Sequence, residues 1–114
     1  MIQKSLLISN EQEKRIIRYD TILYVITADY LSTFILINHP RFICSKPLCK
    51  IKNHLPPNFF QISRSCVVNM NEIISVKRCA RKIILSNSSE LIVSMRKMKA
   101  LHEALTNRNV AFAR

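Results

Sequence analysis

The chain has 114 residues, is 48% hydrophobic, carries a formal net charge of +11 at pH 7 and contains no glycine. That length suits one domain around one core, and no apolar run approaches the ~18 residues of a membrane span; the longest, residues 31–37, is interrupted by Ser32 and Thr33. The N-terminus has a single lysine before a short apolar stretch and no small-residue cleavage site behind it, which excludes a secretory signal of the usual form. The sequence therefore predicts a cytoplasmic protein, with Cys44, Cys49, Cys66 and Cys79 as thiols and free cysteine as a small buried hydrophobe.

The charge is unevenly placed. Residues 1–40 are neutral, with four cations against four anions, while residues 41–114 hold the other fourteen Lys and Arg against Glu72, Glu90 and Glu103 and carry the whole +11. Such asymmetry at a pI near 10 is expected of a surface that meets a polyphosphate partner, because neutralised phosphates release condensed counterions. An anionic membrane surface and a merely solvated basic face are the rivals that charge alone does not separate.

Without glycine, tight turns must use Asn, Asp, Ser or Pro. Turn signals at Asn10-Glu11-Gln12, Ala28-Asp29-Tyr30, Asn38-His39-Pro40, Pro56-Pro57-Asn58, Asn69-Met70-Asn71 and Ser86-Asn87-Ser88-Ser89 cut the chain into short pieces. Most pieces are rich in β-branched and aromatic residues and predict strands at 6–9, 15–19, 23–27, 31–37, 41–45, 59–62, 73–78, 82–85 and 90–93, with Val67 and Val68 on a further strand. Two segments have helical spacing instead. In 46–55, Leu48, Ile51 and Leu55 share one face between Pro47 and Pro56. In 95–105, Met98, Leu101, Ala104 and Leu105 form an apolar stripe behind Ser94 as N-cap, and residues 107–114 read as a loose tail. The predicted fold is mainly β, with short antiparallel strands and two short helices, in one domain over 1–114.

Little in the chain suits catalysis or a cofactor. His39, His54 and His102 fall in a turn and on helix faces, no Gly-rich phosphate loop or nucleophile elbow is present, and acids are scarce in the basic part. Cys44, Cys49 and His54 share a five-residue step. Cys44 belongs to a strand and Cys49 to a helix, however, and no Cys-x-x-Cys pair accompanies them, so metal binding is not expected. The reading contains no enzyme activity, no small-molecule substrate and no membrane partner.

Three separated words in the right order resemble the LytTR-type DNA-binding domain of bacterial regulators. Asp20-Thr21-Ile22-Leu23-Tyr24-Val25, followed by Ala28-Asp29-Tyr30, is similar to the family's opening D-x-I-x-Y-I and its Ala-to-Tyr loop. Phe59-Phe60-Gln61-Ile62-Ser63-Arg64-Ser65-Cys66-Val67-Val68-Asn69 resembles F-x-R-I-H-R-S-x-x-V-N, with Ile73 to Val76 where I-x-x-I is expected, and Leu91-Ile92-Val93-Ser94-Met95-Arg96 resembles L-P-V-S-R-R. The similarity spans about residues 13–105. It departs at Ser63, Gln61 and Met95, where the family commonly has His, Arg and Arg, and each change removes one phosphate or base contact. Asn38 and Asn87 stand near the family's turn glycines, Asn being the non-glycine residue best able to adopt positive φ.

The resemblance implies stacked antiparallel sheets whose loops at one edge enter DNA grooves, in a stand-alone transcriptional regulator that reads duplex DNA. It leaves open a homodimer on the DNA. Arg64 and Arg96 are the expected base readers, because a guanidinium can bond guanine O6 and N7 in a bidentate way. Ser63 and Ser65 flank Arg64 as donors to the sugar-phosphate backbone. Arg96 and Lys97 open the last helix, where the helix dipole disfavours a cation unless an anion is near. Asp29 and Tyr30 form a third contact by resemblance, the plain alternative being a turn former and a packed ring. Lys77, Arg78, Arg81 and Lys82 surround a hairpin turn at Cys79-Ala80, either as phosphate contacts or as charges that protect a sheet edge. No receiver-type acidic pocket is expected, so control by phosphorylation of the response-regulator kind is not. Two other functions fit the composition: an RNA-binding β-module stacking bases on Phe59 and Phe60, and an adaptor that pairs with another regulator without touching DNA.

Overall fold

In the computed structural model, which describes residues 4–108, ten strands and two helices follow one another. The strands are β1 Ser5–Ser9, β2 Lys14–Arg18, β3 Ile22–Ala28, β4 Leu31–Leu36, β5 Phe42–Cys44, β6 Phe59–Ser63, β7 Cys66–Asn69, β8 Ile73–Lys77, β9 Lys82–Leu85 and β10 Glu90–Ile92; the helices are α1 Leu48–Lys52 and α2 Met95–Thr106. They form three antiparallel sheets: a ribbon β1-β2, a central sheet in the order β5-β4-β3-β7-β6, and a small sheet β10-β9-β8. The mainly β prediction with two helices holds. Of the expected C-terminal tail, only Asn107 and Arg108 fall within the described residues.

Both faces of the central sheet are covered, which explains why its middle strands carry uninterrupted apolar runs rather than a clean alternation. One side packs Val25, Phe34, Phe42 and Val67 against Ile8 and Ile17 of the ribbon and Leu48 and Ile51 of α1. The other packs Leu23, Ile62 and Val68 against Ile83 and Leu85 of the small sheet and Leu101 of α2. Met98, Ala104 and Leu105 pack partly against this second core, as their spacing predicts. Phe59 is buried and Phe60 packs at its edge, so neither ring is offered for base stacking.

Polar bonds fix the layers to one another. The ribbon is tied down by Asn10 Nδ2 donating to Ile43 O at 2.7 Å and by Arg15, which donates to Pro40 O at 2.8 Å, pairs with Glu13 and lies 5.1 Å from the centre of the Phe42 ring. Asn69 is buried: its Nδ2 donates to Ile22 O at 2.9 Å, while its Oδ1 accepts from Asn71 N at 3.0 Å and from Asn58 Nδ2 at 2.9 Å.

Several local expectations need correction. The first helix contracts to Leu48–Lys52, because the chain beyond it closes as two three-residue turns, His54 N to Ile51 O and Leu55 N to Lys52 O, before Pro56 stops it. Ser94 occupies the N-cap position of α2, yet its hydroxyl caps nothing. The Lys97 N–H that a capping hydroxyl would accept goes to the Ser94 carbonyl at 2.9 Å, and the Ser94 N–H is given to Ile62 O at 2.9 Å. Asn38 adopts positive φ as expected, but in the later turn it is Ser88, not Asn87, that does so. Asn87 serves through its side chain, whose Oδ1 accepts from Ser89 N at 3.0 Å. Cys44 and Cys66 are packing residues, whereas Cys49 and Cys79 are exposed.

A thiol reagent should therefore modify Cys49 and Cys79 in the native protein and reach Cys44 and Cys66 only after unfolding; four sites labelled at equal rates would contradict this. Burial also pushes the Cys66 thiol up to about 12 from an ordinary 9.0. The folded chain then keeps a proton that the unfolded chain releases, so this stabilisation is intact below pH 9 and is lost between pH 9 and 12. Denaturant unfolding across that window should show a steeper loss for the parent than for Cys66→Val.

Candidate nucleic-acid interface

Sheet register decides which loops share an end. In the pair β3-β4 the partners Ala28 and Leu31 close a two-residue turn, Asp29-Tyr30, and in the pair β3-β7 Ile26 lies opposite Cys66. The turn Arg64-Ser65 between β6 and β7 is thus brought beside Asp29-Tyr30. Ser32 opposite Cys44 adds the loop Ser45-Lys46-Pro47 to the same end.

Backbone bonds then extend this edge to the other two predicted contacts. Thr27 N donates to Ser65 O at 2.8 Å, joining the first two turns. Ser94 N donates to Ile62 O at 2.9 Å, which places the start of α2 beside the end of β6. Val93 N donates to Arg81 O at 2.7 Å, which joins the β8-β9 turn to the same place. Four segments far apart in sequence, carrying Tyr30, Arg64, Arg96 and Arg81, therefore follow one another along one edge.

The Asp29-Tyr30 turn is built rigidly. Both residues have positive φ, 52° and 68°, as the two central positions of a type I′ hairpin require. A bulky side chain there is unusual and costs about 1–2 kcal/mol relative to glycine. The Tyr30 side chain does not pack; the residue is 93% exposed. Behind it, buried Ser32 Oγ donates to Lys46 O at 2.7 Å and lies 2.9 Å from Thr27 Oγ1. Since the Ser32 proton is committed to Lys46, Thr27 must be the donor in that pair.

Arg64 stands exposed on its turn, and Tyr30, Arg64, Ser65 and Cys49 line one open groove of about 420 Å³. Ser63 and Ser65 are half-buried; Ser63 Oγ accepts from Ser65 N at 3.4 Å and Ser65 gives its carbonyl to Thr27, so both serines shape the turn that presents Arg64. Arg96 is exposed in the first turn of α2 and Lys97 beside it is half-buried. Lys77, Arg78 and Arg81 are exposed, and Arg81 supplies the positive φ of 52° that closes its hairpin. Lys82 differs from them. It faces Lys77 directly across the strands, and its Nζ is held 2.9 Å from Glu90 Oε1, which offsets the like-charge contact.

Sequence reasoning missed Lys46 and Lys50, exposed cations of the segment that borders this groove. Their place depends on β5 ending beside the start of β4, which spacing alone does not encode. At the opposite end of β3, hydrogen bonding and charge from Arg18 hold the Asp20 carboxyl below its ordinary value. One end of the central sheet thus carries paired charges, and the other carries exposed cations. Among the described residues no group of three or more His, Cys, Asp or Glu is gathered as for a metal, and no helix is long and apolar enough to cross a membrane.

Comparison with known proteins agrees with this geometry. A solved structure, the LytTr DNA-binding domain of a Bacillus cereus protein described as a methyl-accepting/DNA response regulator, superposes with a TM-score of 0.78 at 15% identity, covering 90% of this chain and 97% of that one. At that identity the likeness is one of fold. No curated protein matches the sequence. The model of the LytTr DNA-binding domain family matches residues 12–106, which takes in all three words and every described strand and helix after β1, and the chain belongs to that family.

Proposed function

We propose that this chain binds duplex DNA sequence-specifically as a transcriptional regulator in the cytoplasm, reading bases with Arg64 and Arg96. The observation that carries the reading is the alignment of the Asp29-Tyr30, Arg64-Ser65, Met95-Arg96 and Arg78-Arg81 segments along one edge by three inter-element backbone bonds. With the backbone held this way, binding has only the arginine side chains left to order when they meet a groove. Lys77, Arg78, Arg81 and Lys97 supply phosphate contacts on the flank, and Lys82 contributes less because Glu90 already holds it. Ser63 and Ser65 keep hydroxyl protons free to meet the sugar-phosphate backbone. Stand-alone action is part of the reading, since every bond that shapes the edge lies within these residues. A homodimer on DNA is a further part: Leu7 and Ile16, directly paired on the ribbon, are 64% and 71% exposed and lie in the neutral part of the chain, where two copies can meet without charge repulsion. The reading includes no catalytic step, cofactor or metal.

The salt dependence of DNA binding is the first test. Affinity for random duplex DNA should fall steeply with salt, the logarithmic slope being about −0.9 for each phosphate neutralised. Failure to shift any duplex at about 50 mM salt would remove the proposal.

The second test separates base reading from charge attraction. On a site selected from a random pool, Arg64→Ala and Arg96→Ala should each cost about 1–3 kcal/mol, and less on random duplex. Lys77→Ala should weaken both DNAs alike and lower the salt slope by about one, Lys82→Ala by less. Variants that melt like the parent but lose equally on both DNAs at Arg64 and Arg96 would leave a basic surface without readout. Preference for single-stranded RNA, or selection of no site at all, would favour the RNA-module and adaptor readings respectively.

A further inference from the structure

The last helix begins with an apolar residue that its own core does not use. Met98, Leu101 and Leu105 continue the stripe that packs against the small sheet and β6, and Met95 keeps the same three-residue step toward the N-terminus. Yet Met95 is 73% exposed. The Ser94 N to Ile62 O bond fixes the helix start at the end of β6, and the first two helical residues, Met95 and Arg96, stand exposed there while Met98 is the first of the stripe to pack on the core. A long thioether is thereby held in water beside Arg96 and Lys97 and next to the strand end that leads into Arg64. On a surface selected only for charge, an arginine or lysine would serve better at this position.

Resting on the DNA-binding reading above, we infer that Met95 is a specificity-determining residue that contacts the C5-methyl group of a thymine in the major groove, next to the base pair read by Arg96. The chemistry fits the groove edge. Thymine is the one standard base that presents an apolar group there, and arginine beside it reads the guanine acceptors. The flexible and polarisable methionine side chain adapts to such a contact. Burial of the Met95 tip and of the thymine methyl removes apolar surface from water, which an arginine at this position would not do.

The test uses a duplex selected by the parent protein from a random-sequence pool, remade as a series in which each thymine in turn is replaced by deoxyuridine. Deoxyuridine keeps every hydrogen-bonding group and lacks only the methyl. For the parent, one replacement should weaken binding about fourfold, the equivalent of one buried methyl, and the others should have no effect. Met95→Ala should bind the unmodified duplex more weakly by at least that factor and be indifferent to that replacement, while Met95→Leu should retain the sensitivity. Both variants should melt with the parent, since Met95 is largely exposed and lies outside both cores. The inference is overturned if no single methyl is felt by the parent, or if Met95→Ala feels the same methyl as strongly. If the parent keeps a sequence preference that Arg96→Ala abolishes but no deoxyuridine touches, only the Met95 role fails; if the parent selects no sequence, the underlying reading fails with it.

Discussion

The side chain of Asn69 holds together the parts on which everything else is mounted. It is buried at the end of β7 and satisfies a carbonyl at the start of β3, an N–H two residues ahead and the side chain of Asn58 before β6. An amide is well suited to this junction because it offers a donor and an acceptor in one plane. Any apolar replacement would leave Ile22 O without a partner in the protein interior, a loss of about 1–3 kcal/mol. Since β3 and β7 are neighbouring inner strands of the central sheet, a slip between them would displace the Asp29-Tyr30 and Arg64-Ser65 turns relative to each other. The polar bond at one end of the sheet thus governs alignment at the other.

That alignment divides the molecule by electrical character. The end near Arg18 and Asp20 pairs its charges, and Arg15 is absorbed by Glu13, Pro40 and the Phe42 ring. The opposite edge leaves Arg64, Arg78, Arg81 and Arg96 exposed. Sequence counting located the excess charge in residues 41–114; the fold adds that those cations come from separate elements that meet along a single border. The Lys82–Glu90 pair shows the limit of counting, because a cation already held by a carboxylate gains less from a phosphate.

Much of the architecture was legible because the local signals agree with one another. The turn at Asp29-Tyr30, the strands around it, the stripe of α2 and the strand placement of Cys44 against the helical placement of Cys49 all follow from spacing and residue type. What escaped was tertiary. The capping role of the Ser94 hydroxyl was pre-empted by its own carbonyl, which accepts the Lys97 N–H that the hydroxyl would have taken. The choice of Ser88 over Asn87 for positive φ turned on which residue the hairpin needed to orient, with the Asn side chain more useful one position earlier. The exposure of Cys49 and Cys79 depends on which face of a short helix and which hairpin tip stay uncovered. For the interface, residue types named Arg64 and Arg96 and marked Met95 as a departure from the family, but the place of Lys46 and Lys50 and the exposure of Met95 became visible only in the fold.

The absence of glycine has a consequence for the shape of the basic edge. Among the described residues, five that are not glycine, Asp29, Tyr30, Asn38, Arg81 and Ser88, carry the positive φ angles that glycine usually supplies, three of them in turns of the basic edge. A side chain at such a position narrows the backbone states open to the loop, in the unfolded chain and in the folded one. For a duplex docking on such a border, part of the fit would fall to the bending of the nucleic acid and not to the loops alone.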